Sequence, residues 1–450
     1  METVNKSAVI VGAGLVGALW AVALARRGYA VKVFERRPDM RAKGYAGGRS
    51  INLAMSARGW NAIDMAGIRE KIEPVAIPMP GRMMHAVDGT LTFQAYGKAG
   101  EAIYSVSRGG LNLELLHIAG TFPQVEFFFE HRCIDVDLNQ PFIHFEDLKT
   151  GEQKTIEAPL IFATDGAFSA VRHTLQRTDR FNYAQQYLDH GYKELTIPAE
   201  QGKLMDAHAL HIWPRGNFMM IALPNADGSF TCTLFLPFEG PVAFEHLQSD
   251  ADVTAFFQQY FPDTLPLIPG LLEDFRKNPT SSLATVQCSP WQWQGRILLL
   301  GDAAHAIVPF YGQGMNAGFE DCTILDAMYD EMDGDWSAII PAFAKRRKPD
   351  GDAIAALALR NFIEMRDLVG DPKFLLRKKI AANLHAKYPE FIPVYTMVSF
   401  SNTPYHLALQ EEDAQNQLFQ EILAINDVEA RWDGPEVEAV FLKWMAQKSV

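Results

Sequence analysis

The chain has 450 residues, of which 48% are hydrophobic, enough for two or three structural units around a large buried core. Its formal net charge of −13 argues against a nucleic-acid partner, because nucleic-acid binding needs a basic surface. The 4 cysteines have no CxxC spacing, which favours reduced side chains in a cytoplasmic protein. We expect no signal peptide and no membrane partner, since the chain enters an apolar strand almost at once and no apolar run approaches ~18 residues. The oligomeric state stays open between monomer and homodimer.

A strand, a glycine turn, a helix and a second strand are predicted at the start of the chain. Residues 7–11 are apolar, as in a buried parallel strand, residues 15–27 have the helical period, and residues 30–34 are predicted to form the second strand. The turn reads Gly12-Ala13-Gly14-Leu15-Val16-Gly17, and Glu35 ends the second strand. Such a turn binds a pyrophosphate, and an acidic residue about 20 positions on accepts a bond from a ribose hydroxyl. The pattern predicts FAD or NAD without a 2′-phosphate; the alternative is a turn that only packs helix on strand.

The middle of the chain alternates between helical and strand patterns. Helices are predicted at 56–72, 111–119, 169–175, 251–260 and 270–277. Strands are predicted at 91–96, 125–129, 133–138, 142–146, 154–157 and 160–164, the last leading into the turn Asp165-Gly166. Residues 209–213, 218–224 and 230–237 are strand-like and separated by turn sequences, which predicts an antiparallel meander.

A second glycine-rich turn follows an apolar run at 297–300. It reads Gly301-Asp302-Ala303-Ala304-His305 and continues through residues 309–316 into a predicted helix. Because helix starts behind such turns bind anions, two of them predict one extended dinucleotide held at both ends. From residue 343 onward nearly all of the sequence is predicted to be helical.

Three motifs follow the order and spacing of one known family. They are the GxGxxG turn, the Asp165-Gly166 turn and the GD-x-A-H-x-x-x-P sequence at 301–309. Here the chain resembles the single-component flavoprotein hydroxylases of the para-hydroxybenzoate hydroxylase type, although Ala163-Thr164 stands where Gly-Ala is common. Further stretches, at 48–54, 190–195, 209–214, 309–316 and 361–365, resemble a branch of that family that acts on an aromatic amino acid.

The resemblance implies an α/β (α+β) fold with three parts. A discontinuous Rossmann-like FAD-binding domain would comprise residues 1–75, 100–180 and 285–342. A substrate domain with an inserted antiparallel β-sheet would comprise 76–99 and 181–284, and a C-terminal helical region would comprise 343–450.

The resemblance also assigns the site residues. Those implied to hold FAD are Gly12, Gly14, Leu15, Val16, Gly17, Glu35, Arg36, Ala54, Arg108, Asp165, Asp302, Gly314, Met315 and Asn316. Those implied to bind the substrate are Arg82, Tyr96, Asn361 and Tyr395 at its amino-acid end and Leu210, Ile221, Leu223, Phe235, Pro309 and Phe310 around its ring. The Gly-Gly pair after Arg108 suggests a poorly capped helix start.

The residues themselves leave other interpretations open. An Arg fork and a Tyr hydroxyl are a natural receptor for a carboxylate, but Arg82 could instead form a structural ion pair. Tyr96, Tyr395 and Asn361 could be core residues with satisfied polar groups. His305 and His211 are more typical of structural histidines than of bases. No metal-ligand spacing and no Gly-x-Ser-x-Gly elbow occurs, so neither a metal site nor a hydrolase triad is predicted.

The implied activity is that of a FAD-dependent monooxygenase. NADPH, as a transient cosubstrate, would reduce bound FAD, and O2 would then form a flavin hydroperoxide that hydroxylates the ring. No catalytic side chain is assigned; Pro309, Gly312 and Gln313 are expected near the flavin, where backbone amides stabilise developing charge. The alternatives are a hydroxylase of another aromatic acid and a non-catalytic flavin-binding redox protein.

Overall fold

The computed structural model describes residues 6–43, 52–98, 100–368 and 371–448. Residues 44–51, which include part of the stretch 48–54, lie outside this description. The strands are β1 Ser7–Val11, β2 Ala30–Glu35, β3 Asn52–Met55, β4 Ile77–Met79, β5 Gly81–His85, β6 Leu91–Ala95, β7 Ile103–Ser107, β8 Val125–Phe129, β9 His131–Val136, β10 Phe142–Asp147, β11 Gln153–Glu157, β12 Ile161–Ala163, β13 Asn182–Ile197, β14 Ala209–Pro214, β15 Met219–Pro224, β16 Phe230–Pro237, β17 Ser281–Ser289, β18 Gln292–Trp293 and β19 Ile297–Leu299.

The helices account for most of the remaining described residues. They are α1 Leu15–Arg26, α2 Met40–Lys43, α3 Ala57–Ala66, α4 Arg69–Ile72, α5 Arg108–Ala119, α6 Ala170–Leu175, α7 Ala199–Gly202, α8 Asp250–Tyr260, α9 Leu271–Lys277, α10 Asp302–His305, α11 Gly314–Glu331, α12 Trp336–Ile363, α13 Pro372–Lys387, α14 Val394–Ser399, α15 Tyr405–Leu423 and α16 Pro435–Lys448. A single π-helical turn, Glu364–Leu368, follows α12. Within the described ranges, no helix combines the length and apolar character that a bilayer span requires.

A six-stranded sheet in the order β18-β19-β12-β1-β2-β8 forms the first layer. The strands from β19 to β8 run parallel, and β18 is antiparallel to β19. Helices cover the sheet, so β1 and β19 are buried almost throughout, as their apolar sequences predict. The carboxyl ends of β1, β2, β12 and β19 meet at one edge, which is where such sheets bind their ligands.

A seven-stranded sheet in the order β17-β13-β16-β15-β14-β5-β6 forms the second layer. The predicted meander is present as β14, β15 and β16. One pairing in this otherwise antiparallel sheet was not predicted: β14 pairs in parallel with β5, which sets Leu210 beside Arg82. Side chains alternate between faces: Trp213 belongs to a core with α8 and α9, whereas Leu210 and Phe235 belong to a core with α12.

Several element boundaries differ from the sequence expectation for local reasons. The helix expected at 56–72 is divided by Gly67, whose left-handed backbone (φ 67°) ends α3. Helix α5 begins at Arg108, and the Ser107 side chain accepts a bond from the Gly110 amide, so the expectation of a poor cap there is wrong. The FAD-binding domain was expected to resume at residue 285, but β17 pairs with β13 of the seven-stranded sheet as far as Ser289. The C-terminal helical region was expected from residue 343, and α12 begins at Trp336. The expected α/β fold class is confirmed.

Candidate active site

A cavity of about 640 Å³ lies between the two sheets. Its first end is formed at the carboxyl ends of β1, β2, β12 and β19, where Gly12, Glu35, Asp165 and Asp302 line it. Its second end is formed by one face of the seven-stranded sheet together with α12 and α14. The two sites proposed from the sequence are therefore two ends of one cavity.

Most of the residues assigned from the sequence line this cavity. From the FAD set these are Gly12, Gly14, Leu15, Val16, Glu35, Arg36, Ala54, Arg108, Asp165, Asp302, Gly314 and Met315. From the substrate set they are Arg82, Tyr96, Asn361, Tyr395, Leu210, Ile221, Leu223, Phe235, Pro309 and Phe310. Gly312 also lines it.

Two residues assigned to FAD, Gly17 and Asn316, and one expected near the flavin, Gln313, are not among the residues that line the cavity. Gly17 lies in the first turn of α1, packed against the turn that follows β1, and a Cβ there would lie 2.0 Å from the Gly12 carbonyl oxygen. The buried Asn316 side chain donates to the carbonyls of Ala54 (2.8 Å) and Gly312 (2.7 Å), so it positions two wall residues. The buried Gln313 side chain accepts a bond from Tyr405.

The first end of the cavity fits a dinucleotide. Helix α1 has no side-chain cap at Gly14, and a Cβ on that glycine would meet only open space. The dipole of α1 therefore offers its positive end to a pyrophosphate. Beside this turn, just after β12, the buried Asp165 Oδ1 has no hydrogen-bond partner among the described residues, as expected of a group that bonds to a ligand.

Glu35 is held as an ionised acceptor. Its carboxylate accepts bonds from the Ala13 amide (2.9 Å), the Arg37 amide (2.9 Å) and the Arg37 guanidinium (2.9 Å). Burial favours the neutral acid, but the bonds and charge of Arg37 outweigh it and hold the pKa of Glu35 below its usual range. Burial raises the pKa of Asp302, against the attraction of Arg108 and His305.

Arg82 and two tyrosines converge at the second end. The rings of Tyr96 and Tyr395 are stacked, with centroids 5.3 Å apart, and the Arg82 guanidinium lies 6.0 Å from the Tyr96 centroid. Arg82 donates to Gln94 (3.2 Å) and its side chain is 10% exposed. Burial raises the pKa of Tyr395 to about 12, so its hydroxyl is a neutral donor. This group can receive a carboxylate through charge-assisted hydrogen bonds.

Two charged residues next to this group were missed by the sequence reasoning. Glu364 lies 3.9 Å from Arg82 and 3.0 Å from Lys378. Burial disfavours the charged form of both residues. The positive charges of Lys378 and Arg82 outweigh burial at Glu364 and hold its pKa below the usual value. At Lys378 burial is the larger effect, and the pKa of its ammonium is lowered. The signal available was the i,i+3 spacing from Asn361 to Glu364, which places both on one helix face. The ion-pair alternative for Arg82 is therefore partly realised.

The wall between the two ends is apolar and aromatic. Phe310 stacks on Phe362, with centroids 3.9 Å apart, and contacts Phe235 at 4.9 Å. The Asn361 side chain donates to the Phe310 carbonyl (2.8 Å), which fixes this turn to α12. Tyr311, a wall residue without a predicted role, stacks on Tyr395 at 5.7 Å.

Both singled-out histidines have structural partners. His305 is buried and bonds to Asp321 through its Nε2 (2.6 Å). His211 lies on the far face of the sheet, where its Nε2 bonds to the Asp206 carbonyl (2.9 Å) and its Nδ1 to His85 (2.8 Å). Among the described residues, no group of His, Cys, Asp and Glu could hold a metal ion.

Comparison with known proteins identifies the family. The FAD binding domain family matches residues 5–328. A kynurenine 3-monooxygenase of Flavobacterium psychrophilum is 49% identical over 447 residues, 99% of each chain. This chain belongs to the kynurenine 3-monooxygenase family.

Other relatives and solved structures agree with that placement. Kynurenine 3-monooxygenases of Myxococcus xanthus and Sus scrofa are 49% and 45% identical, over 91% and 90% of this chain and 89% and 86% of theirs. The structure of Klebsiella pneumoniae HpxO complexed with FAD and uric acid is similar with a TM-score of 0.66 at 19% identity, covering 93% of this chain and 97% of that one. At that identity the structural likeness shows the fold alone. The resemblance to the flavoprotein hydroxylases, inferred above from motifs, is confirmed, and its aromatic-amino-acid branch is the kynurenine 3-monooxygenase family.

Proposed function

We propose that this chain is a FAD- and NADPH-dependent monooxygenase that hydroxylates L-kynurenine to 3-hydroxykynurenine. The observation that carries the proposal is the single cavity, with dinucleotide features at one end and a carboxylate receptor at the other. When bound, FAD supplies the redox chemistry, taking electrons from NADPH and using O2 as the source of the transferred oxygen atom.

The amino-acid end of L-kynurenine has a natural place in this cavity. The Arg82 guanidinium can bind its carboxylate with two charge-assisted hydrogen bonds, and the hydroxyls of Tyr96 and Tyr395 can add neutral ones. Glu364 lies behind this receptor rather than on the cavity wall: one of its carboxylate oxygens is 3.9 Å from the Arg82 guanidinium and 3.0 Å from the Lys378 ammonium. An amino acid rather than a simpler aromatic acid is supported by the 49% identity to a kynurenine 3-monooxygenase.

The aromatic ring of the substrate would lie against the apolar wall. Leu210, Ile221 and Phe235 project from one face of the seven-stranded sheet and Phe310 closes the opposite side. The ring amino group of kynurenine already directs electron density to the carbon beside it, so the reaction requires no strong protein base. The residues of the wall therefore orient the ring and exclude water, which would otherwise divert the reaction to hydrogen peroxide.

The glycine turn after β1 is assigned to FAD, so NADPH would bind transiently at another surface of the protein. Glu35 suits FAD because its carboxylate can accept a bond from a ribose hydroxyl but would repel a 2′-phosphate.

The test is NADPH oxidation by the FAD-loaded protein, with and without L-kynurenine, alongside analysis of the product. The proposal predicts a large stimulation and formation of 3-hydroxykynurenine. Stimulation without hydroxylated product would make kynurenine an effector instead. Stimulation by another aromatic acid alone would favour the second candidate substrate class.

A further inference from the structure

The loop of residues 309–316 connects the two ends of the cavity. Pro309 and Phe310 belong to the ring wall, and Gly312, Gly314 and Met315 line the cavity beside the dinucleotide end. A displacement of this loop would therefore change both walls together. What fixes it in place matters for the reaction proposed above.

Three C-terminal helices hold this loop at three successive points. Asn361 of α12 bonds to the Phe310 carbonyl (2.8 Å), and the Tyr395 ring of α14 stacks on Tyr311 at 5.7 Å. The third contact comes from α15, where the Tyr405 hydroxyl donates to the Gln313 side-chain carbonyl (2.9 Å). Tyr405 is fully buried and Gln313 is 2% exposed, so water does not compete for this bond.

Arg58 holds Tyr405 in position. Its guanidinium carbon lies 3.9 Å from the centre of the Tyr405 ring, close enough for a cation–π interaction. The same guanidinium donates to the carbonyls of Met397 (3.3 Å), Val398 (3.2 Å) and Thr403, at the end of α14 and the start of α15. It also pairs with Glu320 of α11, the helix whose first turn forms the end of the 309–316 loop. One buried side chain therefore joins the segment that carries Tyr395 to the helix that carries the loop.

We infer that Tyr405 is a positioning residue that acts through Gln313 to hold the 309–316 loop in the geometry that couples NADPH oxidation to hydroxylation. The effect on the coupling of NADPH oxidation to hydroxylation rests on the proposed function. The structural part, the restraint of the loop by a buried hydroxyl, stands independently. Burial raises the pKa of Tyr405, so the phenol remains a neutral donor.

The test uses FAD-loaded protein and variants that remove this one bond. Tyr405→Phe deletes the donor hydroxyl and keeps the ring under Arg58; Gln313→Leu deletes the acceptor from the other side. Tyr29→Phe is the matched control, because Tyr29 is also a buried tyrosine, with its hydroxyl bonded to Trp336 (2.8 Å) and Tyr329 (3.3 Å). Hydrogen exchange of residues 309–317 is measured without substrate, and hydroxylated product per NADPH is measured with L-kynurenine.

Exchange of 309–317 should be about fivefold faster in Tyr405→Phe and in Gln313→Leu, the factor expected for one ordinary hydrogen bond. The double variant should be no faster than either single one, because both remove the same contact. Product per NADPH should fall and hydrogen peroxide should rise, with FAD content retained and Tyr29→Phe behaving as wild type. Wild-type exchange and product yield in both single variants, or additive effects in the double variant, would overturn the inference. If wild-type protein makes no hydroxylated product, the proposed function fails, while the exchange comparison still decides the role of Tyr405.

Discussion

Replacing Arg82 by alanine should weaken substrate binding and leave the cofactor in place. The Arg82 side chain is 10% exposed, so its bonds to a carboxylate would form largely shielded from water. Two charge-assisted bonds at about 1.5–3 kcal/mol each correspond to a loss of roughly 10² to 10⁴ in kcat/KM. Water that enters the vacated space can bond to the substrate carboxylate and offset part of the lost binding energy. We therefore expect kcat/KM to fall by about 10² to 10³, mainly through an increase in KM for L-kynurenine.

The assay is steady-state NADPH oxidation at saturating FAD, with flavin content measured for every preparation. Arg82→Lys is the matched control, because it keeps the charge beside Glu364 (3.9 Å) but loses the planar fork; it should lose activity to a smaller extent. An unchanged KM in Arg82→Ala would refute the carboxylate-receptor role. Loss of bound FAD with normal KM in the remaining holoenzyme would make Arg82 a structural or cofactor-binding residue instead.

Three further predictions follow from other contacts. Glu35→Gln should weaken FAD binding by about 10- to 100-fold in a fluorescence titration, because a ribose hydroxyl loses a charged acceptor, while KM for L-kynurenine at saturating FAD should not change. Tyr395→Phe should raise that KM about tenfold or more without loss of FAD, and a fall in flavin content would contradict this. Burial lowers the pKa of His211 from 6.5 to about 4, so below pH 6.5 the unfolded chain takes up a proton that the folded chain does not. Stability from this residue should fall by about 2 kcal/mol from pH 7 to pH 5, and His211→Gln should show a smaller drop in Tm over that interval; equal drops would refute it.

The features that could be predicted from the sequence are those fixed by local backbone demands. The turn from Gly12 to Gly17 is such a case: at Gly12 the backbone is left-handed (φ 97°), and at Gly17 a Cβ would collide with a carbonyl. The strand-to-helix junction at Gly301, also left-handed (φ 57°), is another. Both motifs carry their geometry within a few residues, so pattern alone predicted the dinucleotide end of the cavity.

The features that were missed depend on contacts between distant parts of the chain. The parallel pairing of β5 with β14 joins segments that are far apart in sequence, and no turn signal links them. The Glu364–Lys378 pair joins the π-helical turn after α12 to α13, and no local sequence pattern predicts which helices pack together. Gln313 was expected near the flavin as part of the 309–316 loop, but a loop sequence does not tell which way each side chain points. Here the side chain points to Tyr405 on α15.

The central claim is that the cavity joins a flavin to L-kynurenine so that one oxygen atom from O2 reaches the ring. The most direct measurement supplies heavy-isotope O2 and NADPH to the FAD-loaded protein with L-kynurenine and determines the mass of the product. The account predicts 3-hydroxykynurenine that carries one labelled oxygen atom. Rapid NADPH consumption with unmodified kynurenine, or a product whose added oxygen comes from water, would contradict it.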